Sequence, residues 1–379
     1  MMDKKKFQFT IECFDQSGTK ARMGRIETAH GGFPTPVFMP VGTRAVVKTM
    51  TPQNIKDTGA KIILGNTYHL AVRPGEKYIE QLGKLHKFMA WDGAILTDSG
   101  GFQVLSLADL RKISDQGVVF RSHVNGDLYE FTPEKVIEIQ QCLGSDIMMP
   151  LDHCVDGKAS HDKAEEAVKR SLAWLKRSKA MPLDENQVLF GIVQGCVYAD
   201  LREWCAKAMT DLDMPGYSIG GLAVGESKKD MFDMLEIVNT FLPLEKPRYL
   251  MGVGTPEDII NAVSLGTDMF DCVMPTRNAR SGGAFTWKGK LQIRNSHHRD
   301  SLMPIEPRCQ CYCCRTFSRA YLHHLFSKTV EEIMGMVMLT LHNLTFYQDL
   351  MAAIRKSIQE GNFKEFRQDF LAQYQAGSE

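Results

Sequence analysis

Three aspartates, one glutamine and one glycine pair stand at the ends of short apolar runs. Asp98 follows Ala94-Ile95-Leu96-Thr97, Asp152 follows Met148-Met149-Pro150-Leu151, and Asp271 lies within Met269-Phe270-Asp271-Cys272. Gln194 follows Gly191-Ile192-Val193, and Gly220-Gly221 follows Tyr217-Ser218-Ile219. Paired carboxylates suit displacement at a sugar anomeric carbon. One, ionised, attacks as nucleophile while the other passes a proton to or from the leaving group, and in retaining glycosidases the two stand about 5–5.5 Å apart. A strand-end Asp is often only a helix cap, so each position alone is ordinary. Five polar or glycine ends together point to one mouth. The glycine pair lets backbone N–H groups approach a ligand carbonyl.

The ten cysteines carry a second chemistry. Cys13, Cys142, Cys154, Cys196, Cys205 and Cys272 are dispersed, while Cys309, Cys311, Cys313 and Cys314 crowd together. In a reducing compartment a crowded set reads as metal rather than disulfide. Cys309-x-Cys311-x2-Cys314 supplies three thiolates and leaves Cys313 spare. A closed tetrahedral zinc site needs one more ligand, and His323, His324 and His342 are the candidates downstream. Such a site leaves no position open for water, so the expected Zn2+, one per chain, is structural.

These residues need a frame. Eight short, mostly apolar runs recur at 37–41, 61–66, 94–98, 146–152, 188–194, 217–221, 248–253 and 269–275. Runs that are apolar throughout are what strands buried on both faces require. Helical signals fall between them: Thr51-Pro52, Thr132-Pro133-Glu134, an amphipathic stretch over 160–179, and Thr255-Pro256-Glu257-Asp258. Alternating strands and helices predict an α/β fold, a (β/α)8 TIM barrel with its chemistry on the loops after the strands. An open doubly wound sheet is the alternative. Two stretches interrupt the pattern. Residues 118–124 and 128–131 flank Asn125-Gly126 and predict a β-hairpin, and 281–317 holds the cysteines. Residues 318–359 are expected to be mostly helical.

Composition bounds the class. The chain has 379 residues, 44% of them hydrophobic and 24% charged, which excludes a disordered or low-complexity chain. No apolar stretch approaches the roughly 20 residues of a membrane span. The lysines near the N-terminus precede no apolar signal core, so a cytoplasmic protein is expected. Lys+Arg and Asp+Glu are equal at 45 each, yet residues 277–328 hold ten Lys/Arg against two acids. Basic charge confined to one segment is the footprint of a phosphate-binding face.

The segments Thr97-Asp98-Ser99-Gly100-Gly101-Phe102-Gln103-Val104, Ile192-Val193-Gln194-Gly195, Gly220-Gly221-Leu222-Ala223-Val224-Gly225-Glu226, Arg248-Tyr249-Leu250-Met251-Gly252-Val253-Gly254 and Phe270-Asp271-Cys272-Val273-Met274-Pro275-Thr276-Arg277 resemble the bacterial type of tRNA-guanine transglycosylase. The resemblance runs from about residue 8 to 375. It implies a zinc-containing barrel that exchanges the wobble guanine of G-U-N anticodon tRNAs (Asp, Asn, His, Tyr) for a 7-deazaguanine base in queuosine modification, and a homodimer. Carried over by position, Asp271 matches the nucleophile and Asp98 the acid/base residue. Ser99, Gly100, Gly101, Phe102, Asp152, Gln194, Gly221, Leu222 and Met251 match the base-binding residues, with Phe102 and Met251 as the sandwich. Gly252, Val253, Gly254, Thr255, Pro256, Glu257 and Asp258, with Thr276, Arg277, Asn278, Ala279 and Arg280, match RNA-contacting stretches. Cys309, Cys311, Cys314 and His342 match the zinc ligands. The implied domains are a barrel with C-terminal helices over 1–280 and 319–379, and a basic zinc subdomain over 281–318 completed by His342.

The stretch Pro150-Leu151-Asp152-His153-Cys154-Val155-Asp156-Gly157, Cys196, and Arg44-Ala45-Val46 depart from the family pattern near the pocket. Cys154 and Val224 match the Cys and Val that crowd the side beside base position 7 in the usual bacterial pocket, which implies preQ1 as incoming base; queuine is the alternative. A non-catalytic RNA-binding accessory subunit is a second reading, opposed by the presence of both Asp98 and Asp271. A glycosidase acting on small sugars gives the basic cysteine segment no role.

Overall fold

Eight parallel strands close into a barrel. In the computed structural model, which describes residues 6–107, 111–124 and 126–377, they are Val37–Met39 with Val41–Gly42, Ile62–Asn66, Ala94–Asp98, Ile147–Met148, Val188–Leu189 with Gly191–Val193, Tyr217–Ile219, Arg248–Leu250 and Met269–Asp271. Each pairs with the next, and the last returns to the first in the register Met269↔Val37 to Asp271↔Met39. Two strands are interrupted for one residue, at Pro40 and Phe190. The ladder runs on through both, because the Leu64 N–H donates to the Pro40 carbonyl at 3.0 Å and the Phe190 N–H to the Met148 carbonyl at 3.1 Å. Closure excludes the open sheet.

The alternation within each apolar run divides it between two cores. Val37, Met39, Ile62, Leu64, Leu96, Met149, Ile192 and Met269 point inward and form one buried cluster in the barrel. Phe38, Ile63, Ile95, Met148, Val193 and Phe270 point outward under the helices. All eight expected runs carry strands; 94–98 has the expected bounds, and the others are shorter or broken. The run over 146–152 leaves the sheet after Met148. Gln140 accepts the Met149 N–H (3.0 Å) and donates to the Met149 carbonyl (2.8 Å), and Pro150 has no N–H to give.

The helices start where their caps sit. Thr51, Thr132 and Thr255 each accept a backbone N–H from the third helical residue, with proline at the first. The expected 160–179 helix is His161–Lys179.

An antiparallel sheet of Gln8–Phe14, Arg22–Thr28 and Gly31–Thr35 covers the amino-terminal mouth of the barrel, and its Ile26 and Phe33 complete the interior cluster. The insertion after the third barrel strand pairs Val118–Arg121 with Leu128–Phe131, the expected hairpin, and adds a third strand, Arg111–Ile113. Its first strand stops at Arg121 rather than at 124. Asn125 of the expected turn lies outside the described residues.

After the barrel come a hairpin of Gly283–Thr286 and Gly289–Gln292, short helices Tyr312–Thr316 and Arg319–Leu325, and long helices Ile333–Glu360 and Phe363–Ala376. The Ile333–Glu360 helix straps this region to the barrel. Its Gln348 donates to the Phe38 carbonyl (3.0 Å), Tyr347 to the Gly254 carbonyl (2.5 Å), and Asn343 to the carbonyls of Pro275 (2.9 Å) and Gly283 (3.0 Å). Among the described residues no helix is long and apolar enough to cross a membrane.

Candidate active site

The carboxyl ends of the strands surround a cavity of about 270 Å3. Asp98, Ser99, Gly100, Phe102, Asp152, Gln194, Gly221, Leu222, Met251, Gly252 and Asp271 all line it, with Cys154, Val224 and Tyr249. Gly101 does not. It opens the Gly101–Leu107 helix, and its N–H donates to the Ser99 hydroxyl at 3.1 Å.

Asp98 ends its strand at the start of a tight turn. One carboxylate oxygen accepts the N–H groups of Thr67 (3.0 Å) and Gly100 (3.2 Å), and the other accepts the Asn66 amide (2.5 Å). Gly100 has φ +76°, and a Cβ there would meet Tyr68 at 2.8 Å, so the turn admits only glycine. Loss of solvation pushes Asp98 up to about 7; the nearby Asp271 charge adds to the rise, and the hydrogen bonds oppose it.

Asp271 is held through a single oxygen, Oδ1. That atom accepts the Tyr249 hydroxyl at 2.6 Å and the Gly252 N–H at 2.7 Å, which leaves Oδ2 as the oxygen available for attack. Burial leaves the Asp271 carboxyl above its ordinary value, and these two donors offset part of that rise. Tyr249 itself lies well above its ordinary value, through burial and the charges of Asp271 and Asp98, so it stays a donor.

A polar cradle lines the same cavity. Gln194 donates to Asp152 Oδ2 at 2.6 Å, and Ser99 donates to Asp152 Oδ1 at 3.1 Å. Burial raises Asp152 while these bonds lower it. Gly221 has φ +63°, and a Cβ on it would come within 2.3 Å of Gln194 Oε1. The set offers a carboxylate, an amide and backbone N–H groups along one edge, suited to reading a flat heterocycle. Phe102, 51% exposed, and the half-buried Met251 supply apolar faces.

The residues expected to shape the base pocket divide. Cys154 and Val224 line the cavity. His153 turns away, where its Nδ1 accepts from Arg170 at 3.0 Å. Cys196 is buried with its thiol toward the Asp156 and Gly157 carbonyls (3.5 and 3.3 Å). Pro150, Arg44, Ala45 and Val46 are not in the lining.

The two expected RNA-contacting stretches are only partly at the surface. Val253, Gly254, Pro256 and Asp258 are buried, as are Thr276 and Ala279, while Gly252 and Arg277 are exposed and Thr255, Glu257, Asn278 and Arg280 are half-buried. The buried members shape the loop and the helices Pro256–Ser264 and Met274–Arg280, and Gly252 and Arg277 are open to a ligand.

Cys309, Cys311, Cys314 and His342 come together, all buried, with ligand atoms within 4.8 Å of one another. The His342 Nε2–H donates to the Phe285 carbonyl at 2.8 Å, which aims the Nδ1 lone pair at the sulfurs. Nδ1 lies 3.2 Å from Cys314 Sγ and 4.0 Å from Cys311 Sγ. A tetrahedral zinc with ordinary bond lengths sets nitrogen and sulfur about 3.6 Å apart, so the donor set fits a metal ion. His323 is engaged elsewhere, with its Nδ1 2.8 Å from the Ile293 carbonyl.

Asn66 and Tyr249 were missed. Asn66 ends the second barrel strand, so the strand-end rule reaches it; Tyr249 lies inside a strand, and nothing local marks it.

Comparison with known proteins agrees with this geometry. The sequence model of the Queuine tRNA-ribosyltransferase family matches residues 15–376. Proteins named Queuine tRNA-ribosyltransferase are similar along almost their whole length. That of Caldanaerobacter subterraneus is 54% identical over 362 residues, 95% of this chain and 96% of the relative. That of Thermoanaerobacter pseudethanolicus is 54% identical over 359 residues, 94% and 95% of the two chains. That of Aquifex aeolicus is 52% identical over 362 residues, 93% and 95%. A family match over nearly the full length, with relatives more than half identical, establishes that this chain belongs to the Queuine tRNA-ribosyltransferase family of enzymes.

Proposed function

We propose that the protein exchanges the wobble guanine of G-U-N anticodon tRNAs for a 7-deazaguanine base by double displacement. Asp271 Oδ2 attacks C1′ of the wobble ribose as the glycosidic bond to guanine breaks, and Asp98 gives its proton to the departing base. The incoming base takes the vacated cradle, returns a proton to Asp98 and attacks C1′, releasing Asp271. The carrying observation is that the two recessed carboxylates, Asp98 and Asp271, share one cavity with the Asp152–Gln194 cradle. The target base must leave the anticodon stack to reach it, where Phe102 and Met251 sandwich it and Asp152, Gln194 and Gly221 read its edge. Cys154 and Val224 in the lining support preQ1 as the incoming base.

Zinc fits the Cys309, Cys311, Cys314 and His342 donors, in a structural role. In this reading Arg277 and Arg280, with Gly252 and Thr255, meet the anticodon strand. Leu302 (85%), Met303 (54%) and Tyr312 (51%) are large apolar residues left exposed, which supports a homodimer, and the tRNA substrate fits a cytoplasmic enzyme.

The test is trapping. The parent enzyme with unmodified tRNA is expected to give a covalent enzyme–RNA adduct on a denaturing gel, and Asp271→Asn, folded and still binding tRNA, none. An adduct with Asp271→Asn overturns the mechanism.

A further inference from the structure

The helix Ala199–Thr210 places Arg202 directly beneath the base cradle, fully buried. Its guanidinium donates to four backbone carbonyls. Nε reaches Cys196 (2.8 Å), Nη1 reaches Val193 (3.0 Å) and Gly220 (2.7 Å), and Nη2 reaches Gly221 (3.0 Å). None of these acceptors is a carboxylate, although buried cations are ordinarily paired with one. Burial lowers Arg202 to about 10, so it stays a cation at neutral pH.

The acceptors occupy a particular place. Val193 is the residue before Gln194, and Gly220 and Gly221 are the glycines of the cradle. In a trans peptide the C=O and the following N–H point in opposite directions. Drawing the Gly220 and Gly221 carbonyls down onto Arg202 turns the N–H groups of Gly221 and Leu222 the other way, toward the cavity that both residues line. The peptide joining Val193 to Gln194 is held from both sides by the same helix. Arg202 takes its carbonyl, and Cys205 Sγ accepts its N–H at 3.3 Å. A planar fork with fixed donor directions can hold three strand-end peptides at once; an ammonium cannot.

We propose that Arg202 is a positioning residue for base recognition: its guanidinium sets the Gly221 and Leu222 N–H groups and the Gln194 side chain in the register that reads the base edge. The proposal rests on the reading of Gln194 and Gly221 as the base cradle.

The experiment measures the guanine KM, kcat and tRNA Kd of Arg202→Lys, which keeps the charge and loses the fork. The folded variant is expected to raise the guanine KM roughly tenfold or more, as the loss of charge-assisted hydrogen bonds implies, with kcat and tRNA Kd near the parent values. A guanine KM equal to the parent's, or a parallel rise in guanine KM and tRNA Kd, overturns it. If Arg202→Lys does not accumulate folded, Arg202→Ala refolded with and without methylguanidinium gives the same reading. Recovery of the guanine KM on adding the guanidinium supports the proposal; a folded Arg202→Ala with the parent's guanine KM overturns it. Asp152→Asn run alongside separates two failures. If it raises the guanine KM and the Arg202 variants do not, the role of Arg202 falls alone. If neither raises it, the base-cradle reading falls as well.

Discussion

Asp98 and Asp271 are the same side chain in two settings, and the proposed mechanism gives them different work. Asp98, pushed up to about 7, holds a proton through mildly acidic pH and can release it near neutrality. Asp271 has a tyrosine hydroxyl and a backbone N–H on one oxygen, and these favour the ionised form that a nucleophile requires. Asp98→Asn is therefore expected to lower the rate of adduct formation by roughly 10²–10⁴ with tRNA affinity intact; an unchanged single-turnover rate rejects the acid role. The pH profile follows from the same shifts. Below neutrality Asp98 is protonated and competent to give a proton to guanine, and as pH rises through about 7 it ionises. Single-turnover adduct formation should thus fall on the alkaline side with a midpoint near 7, and that limb should be missing in what activity Asp98→Asn retains. Because the two carboxylates interact, the midpoint belongs to the pair.

Secondary-structure elements deliver these residues, and their legibility in the sequence differed for physical reasons. The barrel strands were readable because both faces are buried, so the runs are mostly apolar and a carboxylate or amide residue marks the end. That gives Asp98 and Gln194 directly. The sheet Gln8–Phe14, Arg22–Thr28 and Gly31–Thr35 was not foreseen: its first strand alternates exposed and half-buried residues, a weaker signal. Tyr249 and Arg202 escaped because their roles depend on partners brought close only by the closed barrel, and nothing in the residues beside them announces those partners. The same holds for Arg22, whose guanidinium forms a two-pronged pair with Asp268 (2.9 and 2.6 Å), both fully buried, joining the amino-terminal sheet to the start of the last barrel strand. Asp268→Ala strands that buried cation, and such losses amount to about 3–5 kcal/mol. A urea midpoint that does not move would mean the pair contributes nothing to stability. The metal cluster ties elements too, since its thiolates come from the loop and short helix at 309–314 and its imidazole from the Ile333–Glu360 helix. Cys311→Ser should cut bound zinc well below one equivalent and lower the melting temperature. Full metal content in that variant would remove Cys311 from the ligand set.

At the scale of the whole molecule, a chain of zero formal charge carries a distinctly basic segment, residues 277–328, that begins six residues after Asp271. Total charge says nothing of affinity for RNA here; local field does. Arg277 is the exposed member of the helix Met274–Arg280, which starts three residues after Asp271. Under the proposed mechanism a guanidinium there would meet a phosphate of the strand whose wobble ribose lies at Asp271, while the Asp152–Gln194 cradle would hold the base. Phosphate binding and base binding are then separable. Each phosphate contact contributes a log–log salt slope of roughly −0.7 on single-stranded RNA, so Arg277→Ala should weaken tRNA binding, reduce the slope of log K against log salt by about that amount, and leave the KM for free guanine unaltered. Fluorescence titration of tRNA across a salt series measures the first two, and guanine exchange at saturating tRNA the third. If the affinity falls with no change in slope, Arg277 acts on the shape of the loop rather than on a phosphate. If the guanine KM moves with it, the two binding functions are not divided as the charge distribution implies.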